Sequence, residues 1–331
     1  MKTTTLGRDG PEVSQFGIGA MSFAGIYGEA TEAESHAVLN ACRDAGVTHI
    51  DTSNVYGMGR SEDVIGSWFA ANPGARDETT IATKAAITRR DGVRVFDNSV
   101  EHLESELDGS LKRLGIDHVD LFYVHRREAE RPIEEVAEAL AGLIAKGKTR
   151  AVGFSEIAPS SLRRAAAVTH VAAVQSEYSL STRAPELGLT QACEELGTTL
   201  VAFSPVGRSF LTDAPFSPER AQSMDFTRNN PRFVEPNYSA NIAATDRFRA
   251  LAADMGEPAA ALAIAWLNAQ GNHILPIPGT KDVRHLKELI RGAEISVSPE
   301  DVARIEQALP VGWAHGDRYT ADQWVGPERF C

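Results

Sequence analysis

Cysteine is scarce in this chain: Cys42, Cys193 and Cys331 are the three in 331 residues. The number is odd, the spacings are long and no CxxC pair occurs. That argues against a disulfide framework and against a zinc or other metal site, and it fits the reducing cytoplasm. Basic residues are also in deficit, with 33 Lys and Arg against 45 Asp and Glu and a formal net charge of −12. Such a surface repels nucleic-acid phosphates and anionic lipid, so neither is an expected partner. A local basic pocket can still hold a phosphate, because a surface field is screened over about 10 Å at ordinary salt. Long hydrophobic runs are missing too. The most apolar stretch, Ala259 to Leu267, is too short to span a bilayer, and Met1 to Thr5 lacks the apolar run of a secretion signal. There is no internal repeat, Ser/Gly-rich linker or low-complexity segment, and no GxGxxG follows the first candidate strand.

What is present is a globular composition, 43% hydrophobic and 24% charged, arranged as a strand-then-helix alternation. The opening residues, Thr3 to Leu6 and Glu12 to Ser14 around Gly7 to Gly10, predict a short hairpin. Candidate strands then fall at 16–19, 47–51, 79–84, 119–124, 149–154, 171–174, 199–203 and 273–277. Helices are predicted at about 31–45, 61–70, 99–114, 132–147, 159–166, 184–196, 241–254, 258–269, 282–290 and 299–308. Gly46 and Gly115 follow helical runs as C-terminal stops, and Pro132 suits a first turn. Eight strands alternating with helices and no break in composition predict a (β/α)8 TIM barrel, one domain over residues 1–331, with an N-terminal hairpin. A long Pro-, Asn- and Arg-rich insertion, about 207–238, follows strand seven and is expected to be a loop over a site.

Active residues of such barrels lie at the C-terminal ends of the strands. Here strand two ends in Asp51, three in Lys84, four in His125, five in Ser155, six in Gln175 and seven in Ser204. Solvated loops explain polar strand ends in general. They do not explain an Asp, a Lys and a His on three successive strands.

The segment Asp51-Thr52-Ser53-Asn54-Val55-Tyr56-Gly57, continued by Ser61-Glu62 and Ile65-Gly66, resembles the DTAxxYG signature of the aldo-keto reductase family. Ala82-Thr83-Lys84 resembles that family's lysine strand, and Asp120-Leu121-Phe122-Tyr123-Val124-His125-Arg126 its histidine strand. Gln175 to Leu180, Phe203 to Arg208 and Pro276 to Lys281 follow in family order, so the resemblance covers roughly Leu6 to Tyr319. Pro231-Arg232-Phe233 and Gly316-Asp317-Arg318-Tyr319 resemble the longer-loop branch of bacterial, fungal and plant reductases of small aldehydes and pyridoxal-like substrates.

The resemblance implies an NADP(H)-dependent oxidoreductase that reduces aldehydes or ketones to alcohols. Its catalytic set here is Asp51, Tyr56, Lys84 and His125. Negative charge develops on the carbonyl oxygen as hydride reaches carbon, so a proton donor must meet that oxygen. Tyr56 is that donor, protonated at pH 7 because a free Tyr has a pKa near 10. Lys84 is expected to lower the Tyr56 pKa, Asp51 to hold Lys84, and His125 to orient the carbonyl. The resemblance also implies a cofactor surface of Gly19, Met21, Asp51, Ser155, Gln175, Phe203, Ser204, Pro205, Val206, Gly207, Arg208, Ile277, Gly279, Thr280, Lys281, His285 and Glu288. Phe203 would stack on the nicotinamide, where the family usually has Tyr or Trp, and Ser155 and Gln175 would bind its carboxamide. Glu156 stands where the family often has Asn. Gly279-Thr280-Lys281 before a helix offers N–H groups and a cation for phosphate, with Lys281 for the 2′-phosphate and Arg208 or another insertion arginine near the pyrophosphate. His285 and Glu288 share a helical face with Lys281 and would approach the adenine, where Leu289 replaces a family Asn.

Phe23, Tyr27, Trp68 and Tyr178 are candidate substrate-pocket residues, lining a site for a small carbonyl compound. Two other functions fit the residues. A regulatory NADP-binding subunit acting on a protein partner would keep the same fold and site, and a barrel isomerase or lyase would need no nicotinamide. The sequence leaves the physiological substrate and the oligomeric state open.

Overall fold

The computed structural model describes residues 1–329 and 331. Its main sheet has eight parallel strands in the order of the chain: β3 (Gly17–Gly19), β4 (His49–Asp51), β5 (Thr80–Ala85), β8 (Val119–Val124), β9 (Thr149–Ser155), β10 (Ala173–Glu177), β11 (Thr199–Phe203) and β12 (Ile274–Pro276). The two outer strands of this order meet where the Gly19 N–H donates to the Pro278 carbonyl at 2.9 Å. The sheet thereby curls into a nearly closed barrel, as expected from the alternation of elements. Glycine is required at that seam, because a Cβ on Gly19 would lie 2.9 Å from the Ile277 carbonyl oxygen.

Side chains alternate across each strand with period two, as the pleat demands. Leu121, Tyr123, Val201 and Leu275 point into the barrel and pack with Leu6 and Val13. Those two come from the predicted N-terminal hairpin, β1 (Thr3–Thr5) and β2 (Glu12–Ser14), which plugs the barrel floor. Phe122, Val152, Leu200 and Ile274 point outward into a second apolar layer beneath the helices.

The helices start where the sequence supplies caps. Thr31 and Glu34 form a capping box at α1 (Glu32–Asp44), and Ser298 and Asp301 form one at α11 (Pro299–Ala308). Ser99 caps α3 (Val100–Leu114), with Gly115 as its stop. Around the ring follow α2 (Arg60–Ala71), α4 (Ile133–Ala145), α5 (Pro159–Ala166), α6 (Leu189–Leu196), α7 (Pro218–Ser223), α8 (Asn237–Asp254), α9 (Ala259–Asn268) and α10 (Val283–Glu294). Among the described residues no single helix is long and apolar enough to cross a membrane. The apolar α9 is a buried core helix.

Four expectations shift. The sixth barrel strand runs over 173–177 rather than 171–174, so Gln175 lies inside it and Glu177 ends it. The helix expected over 184–196 is interrupted at Gly188 (φ 127°), leaving a 3-10 turn before α6. The insertion over 207–238 is partly structured, with α7 and two 3-10 turns, and Phe210 packs on Phe233 with ring centroids 4.6 Å apart. A second hairpin, β6 (Ile87–Arg90) and β7 (Val93–Phe96), stands above β5. Its tip is Asp91-Gly92 with φ of 53° and 78°, the pair of positive values that a two-residue hairpin turn needs.

Gly292 lets α10 lie directly on α9, and a Cβ there would come within 2.5 Å of the Ala261 carbonyl oxygen. Gly292→Ala is expected to destabilise the fold by about 1–3 kcal/mol through overpacking. A denaturant melt with an unchanged midpoint would contradict this packing.

Candidate active site

The polar residues collect at the C-terminal end of the barrel. Asp51 ends β4, and Lys84 lies two residues above Asp51's partner Ala82 on the neighbouring β5. Both are buried, with Lys84 fully inaccessible. The Lys84 ammonium donates to Asp51 Oδ1 and, at 2.7 Å, to the Thr52 carbonyl. From across the barrel, Gln175 Nε2 donates to Asp51 Oδ2 at 2.7 Å. Burial opposes the charge on Lys84, yet Asp51 and then Tyr56 outweigh it and leave its pKa above the ordinary lysine value.

Tyr56 sits in the turn between β4 and α2, where its N–H donates to the Ser53 carbonyl at 3.1 Å. Its ring centroid is 5.2 Å from Lys84 Nζ and 5.9 Å from the His125 ring, which it meets edge-on at 84°. Sequence reasoning expected Lys84 to lower the Tyr56 pKa. Lys84 does pull it down, but burial is the larger effect and the net shift is upward. His125 follows β8, and its Nδ1 lies 3.0 Å from Ser53 Oγ. Burial, then Arg126 and Lys84, hold its pKa well below the ordinary histidine value, so the ring is neutral at pH 7. The expected Asp, Lys, Tyr and His therefore converge. Ser53, which fixes the imidazole, was only part of a motif in the sequence.

The cofactor residues inferred from the sequence also lie around this rim, with several of their polar groups already engaged. Gly19 ends β3, Met21 lies in the 3-10 turn that follows, and Phe203, at the end of β11, is partly exposed. Ser204 to Arg208 form a turn in which Ser204, Gly207 and Arg208 have φ of 51°, 59° and 54°. Ser155 Oγ accepts from Arg126 at 2.9 Å. Ile277, Gly279, Thr280 and Lys281 run from β12 toward α10, and Ser22 Oγ donates to the Thr280 carbonyl at 3.0 Å. The Lys281 ammonium reaches the Glu29 carbonyl. His285 is exposed and Glu288 half-buried on α10, whereas Leu289 is on the core face of that helix rather than toward the rim.

Three features depart from expectation. Arg208 does not stand free for a pyrophosphate. Its guanidinium is buried, pairs with Glu177 at 2.6 Å and donates to the Arg318 carbonyl at 2.8 Å. The α10 N-terminus does not offer all its N–H groups, because the Asp282 carboxylate accepts from the Arg284 N–H at 2.7 Å. Phe23, Trp68 and Tyr178 are core residues rather than walls of a substrate pocket beside Tyr56: Trp68 donates to Asn40 at 2.8 Å and Tyr178 to Glu186 at 2.9 Å. These aromatics were read from bulk alone, and burial won. Tyr27 does face the insertion, edge-on to Phe226 at 5.6 Å.

Glu177 and Glu156 anchor a second buried cluster. Arg208 and Arg232 from the insertion reach Glu177 at 2.6 and 3.3 Å, and Arg318 from the C-terminal segment reaches Glu156 at 2.8 Å. Burial alone would raise the Glu177 pKa, but the three arginines bring it below the ordinary value. The Glu156 that departs from the family Asn is thus the partner of an arginine in the tail.

A (β/α)8 barrel with a buried Lys–Asp pair, a tyrosine and a neutral histidine at its mouth defines a class of barrel oxidoreductases. The chain matches the Aldo/keto reductase family model over residues 15–310 and belongs to that family. It is 39% identical over 322 residues to the aldo-keto reductase yakc of Schizosaccharomyces pombe, whose name carries NADP(+), covering 96% of this chain and 94% of that one. It is 36% identical to aldo-keto reductase str7 of Strobilurus tenacellus, covering 92% of each. It superposes on a glycerol dehydrogenase of Gluconobacter oxydans with a TM-score of 0.81 at 26% identity, over 93% of this chain and 94% of that one.

Two outcomes follow from the buried ionisable groups. His49 lies in the barrel below Asp51 with neither ring nitrogen partnered, and its pKa falls to about 4. Burial drives that fall, Asp51 opposes it and Lys84 reinforces it. The unfolded chain therefore protonates His49 first, near pH 6.5. Its share of stability is full above that pH and is lost as pH falls toward 4, by about 3 kcal/mol. His49→Leu should flatten the acid limb of the stability–pH curve; an unchanged limb would contradict this. Glu177→Gln leaves three buried arginines short of charge and should cost about 3–5 kcal/mol. Hydrogen exchange should then quicken in residues 208–233 and 313–325 before the barrel strands.

Proposed function

We propose that this protein works as one barrel unit over residues 1–331 and reduces aldehydes or ketones to alcohols with NADP(H), with Tyr56 as the general acid. The convergence of Tyr56, Lys84, Asp51 and His125 carries the reading. The cofactor choice is supported by the NADP(+) in the name of the fission-yeast relative and by the residues at the rim. A nicotinamide needs a ring face and carboxamide partners, and a dinucleotide phosphate needs cations. Partly exposed Phe203 offers the face. The hydrogen-bonded Ser155 hydroxyl retains its proton for a carboxamide oxygen. Lys281 supplies positive charge just before α10, whereas the Arg284 guanidinium is paired with Asp282 at 2.7 Å. Because Asp282 already caps that helix, the phosphate contact falls on Lys281 more than on helix N–H groups. These residues fit the group.

When bound, NADPH supplies the hydride that reduces the carbonyl carbon. Tyr56 gives its phenolic proton to the carbonyl oxygen as negative charge develops there. Burial keeps that phenol protonated through neutral pH, and the Lys84 ammonium stabilises the phenolate left behind. Asp51, held by Gln175, keeps Lys84 in place and charged. Neutral His125 hydrogen-bonds the substrate oxygen through Nε2–H when Ser53 donates to Nδ1, which sets the carbonyl's direction. Water returns the proton to Tyr56 after the alcohol leaves.

Tyr56→Phe should lower kcat for aldehyde reduction by about 10²–10⁴-fold while NADPH still binds, read by quenching of tryptophan fluorescence. Lys84→Met should show a similar loss. Turnover by Tyr56→Phe equal to that of the wild type would remove Tyr56 from the mechanism.

A further inference from the structure

The β6–β7 hairpin places Arg89 directly opposite Arg94 in its antiparallel register. Like charges paired across a hairpin destabilise it, and this chain has a large excess of acid from which to draw partners. Among the described residues, however, no carboxylate pairs with Arg89 or Arg94, whereas Arg90 of the same hairpin pairs with Asp97 at 3.5 Å. Arg89 donates to the Gly92 carbonyl at 2.8 Å, and Arg94 donates to the backbone carbonyl of Asp322 at 2.7 Å.

Arg126 brings the same feature to the reaction centre. Its guanidinium donates to the His125 carbonyl at 2.7 Å and to Ser155 Oγ at 2.9 Å, and lies 3.5 Å from the Tyr319 hydroxyl. It too has no carboxylate partner among the described residues. The buried or half-buried Arg76, Arg113, Arg127, Arg208 and Arg318 all have one. The turn over 322–326 links the hairpin to Arg126: a Cβ on Gly326 would lie 2.7 Å from the Phe96 ring and 3.3 Å from Arg126 Cβ. The Arg94 pKa lies below the ordinary arginine value, first through partial burial and then through Arg126; Asp322 and Tyr319 oppose that shift, and Arg89 adds a smaller contribution to it. The three cations thus share one field beside His125.

Resting on the reductase reading above, we infer that Arg89, Arg94 and Arg126 form an anion-recognition patch at the barrel mouth, and that the preferred substrates are carbonyl compounds carrying a carboxylate or phosphate remote from the carbonyl. Arg126 holds the end nearest the reacting carbonyl, and the hairpin arginines draw in and seat the anionic end. In a chain of net charge −12, such a local positive field draws anionic carbonyls to this mouth and leaves neutral ones unaffected.

The test compares 4-formylbenzoate and 4-formylphenyl phosphate with methyl 4-formylbenzoate, following NADPH oxidation by the full chain. Wild type should favour the anionic aldehydes by about tenfold in kcat/KM, as charge-assisted contacts allow, and 0.5 M NaCl should shrink that preference. The relative size of the two anionic values tells carboxylate from phosphate. Arg89→Gln/Arg94→Gln should abolish most of the preference through KM and leave the methyl ester unchanged. Arg89→Gln alone, at a side chain that among the described residues makes no hydrogen bond or ion pair with the tail, should remove a share of it without loosening residues 322–326. Equal kcat/KM for charged and neutral aldehydes in wild type, or equal losses for both in the variants, would overturn the patch. Should no aldehyde be turned over, the reductase reading fails, and calorimetry with terephthalate on the NADP(+)-loaded protein decides the patch separately. Binding weakened about tenfold in the double variant would uphold it, and absent or unaltered binding would overturn it.

Discussion

A lysine ammonium shut inside a barrel cannot stay charged unless a carboxylate meets it, and this constraint organises the mouth of the molecule. Lys84 is fully inaccessible, so its charge depends on Asp51 and on the Thr52 carbonyl. Asp51 in turn is fixed by Gln175 from the opposite wall. An ion pair of this kind is a poor source of stability, because desolvation consumes much of the attraction. Its value is positional: a cation with no freedom to move beside the Tyr56 ring, and a neutral imidazole kept neutral partly by that same cation. Burial is the larger influence on both neighbours, and the Lys84 charge acts on top of it, opposing the upward shift of Tyr56 and adding to the downward shift of His125.

The second organising cluster governs what lies above the barrel. Glu156 and Glu177 stand at the ends of two adjacent strands and draw in arginines from the insertion and from the C-terminal segment. Two segments roughly one hundred residues apart are thereby joined, since the Arg318 carbonyl accepts from both Arg208 and Asn230. Arg208 and Arg232 of the insertion, the region sequence reasoning looked to for a pyrophosphate cation, serve this assembly instead. The insertion is a buttressed cover and not a free loop, its apolar side closed by Phe210, Phe233 and Tyr238.

Much of this was legible in the linear chain because it depends on local physics. Period-two strands such as Val119 to Val124, capping residues such as Ser99, and glycine stops such as Gly115 act within a few residues, so the strand–helix alternation and the barrel could be read directly. Asp51, Lys84 and His125 were legible because strand ends in a barrel share one rim whatever their separation in sequence, and Tyr56 through the motif it shares with Asp51. The Asp91-Gly92 turn is equally local, yet its hairpin went unpredicted from the sequence.

Partner choice was not readable. Whether Arg208 meets a phosphate or Glu177, and whether Trp68 and Tyr178 line a pocket or fill the core, is settled by residues arriving from distant strands. The sequence determined the elements, their order and the rim on which reactive side chains stand, because backbone propensity and side-chain period are short-range. Only the tertiary structure decided which charges neutralise one another and which remain unpaired at the mouth, because Coulomb pairing and burial depend on distance in space and not along the chain.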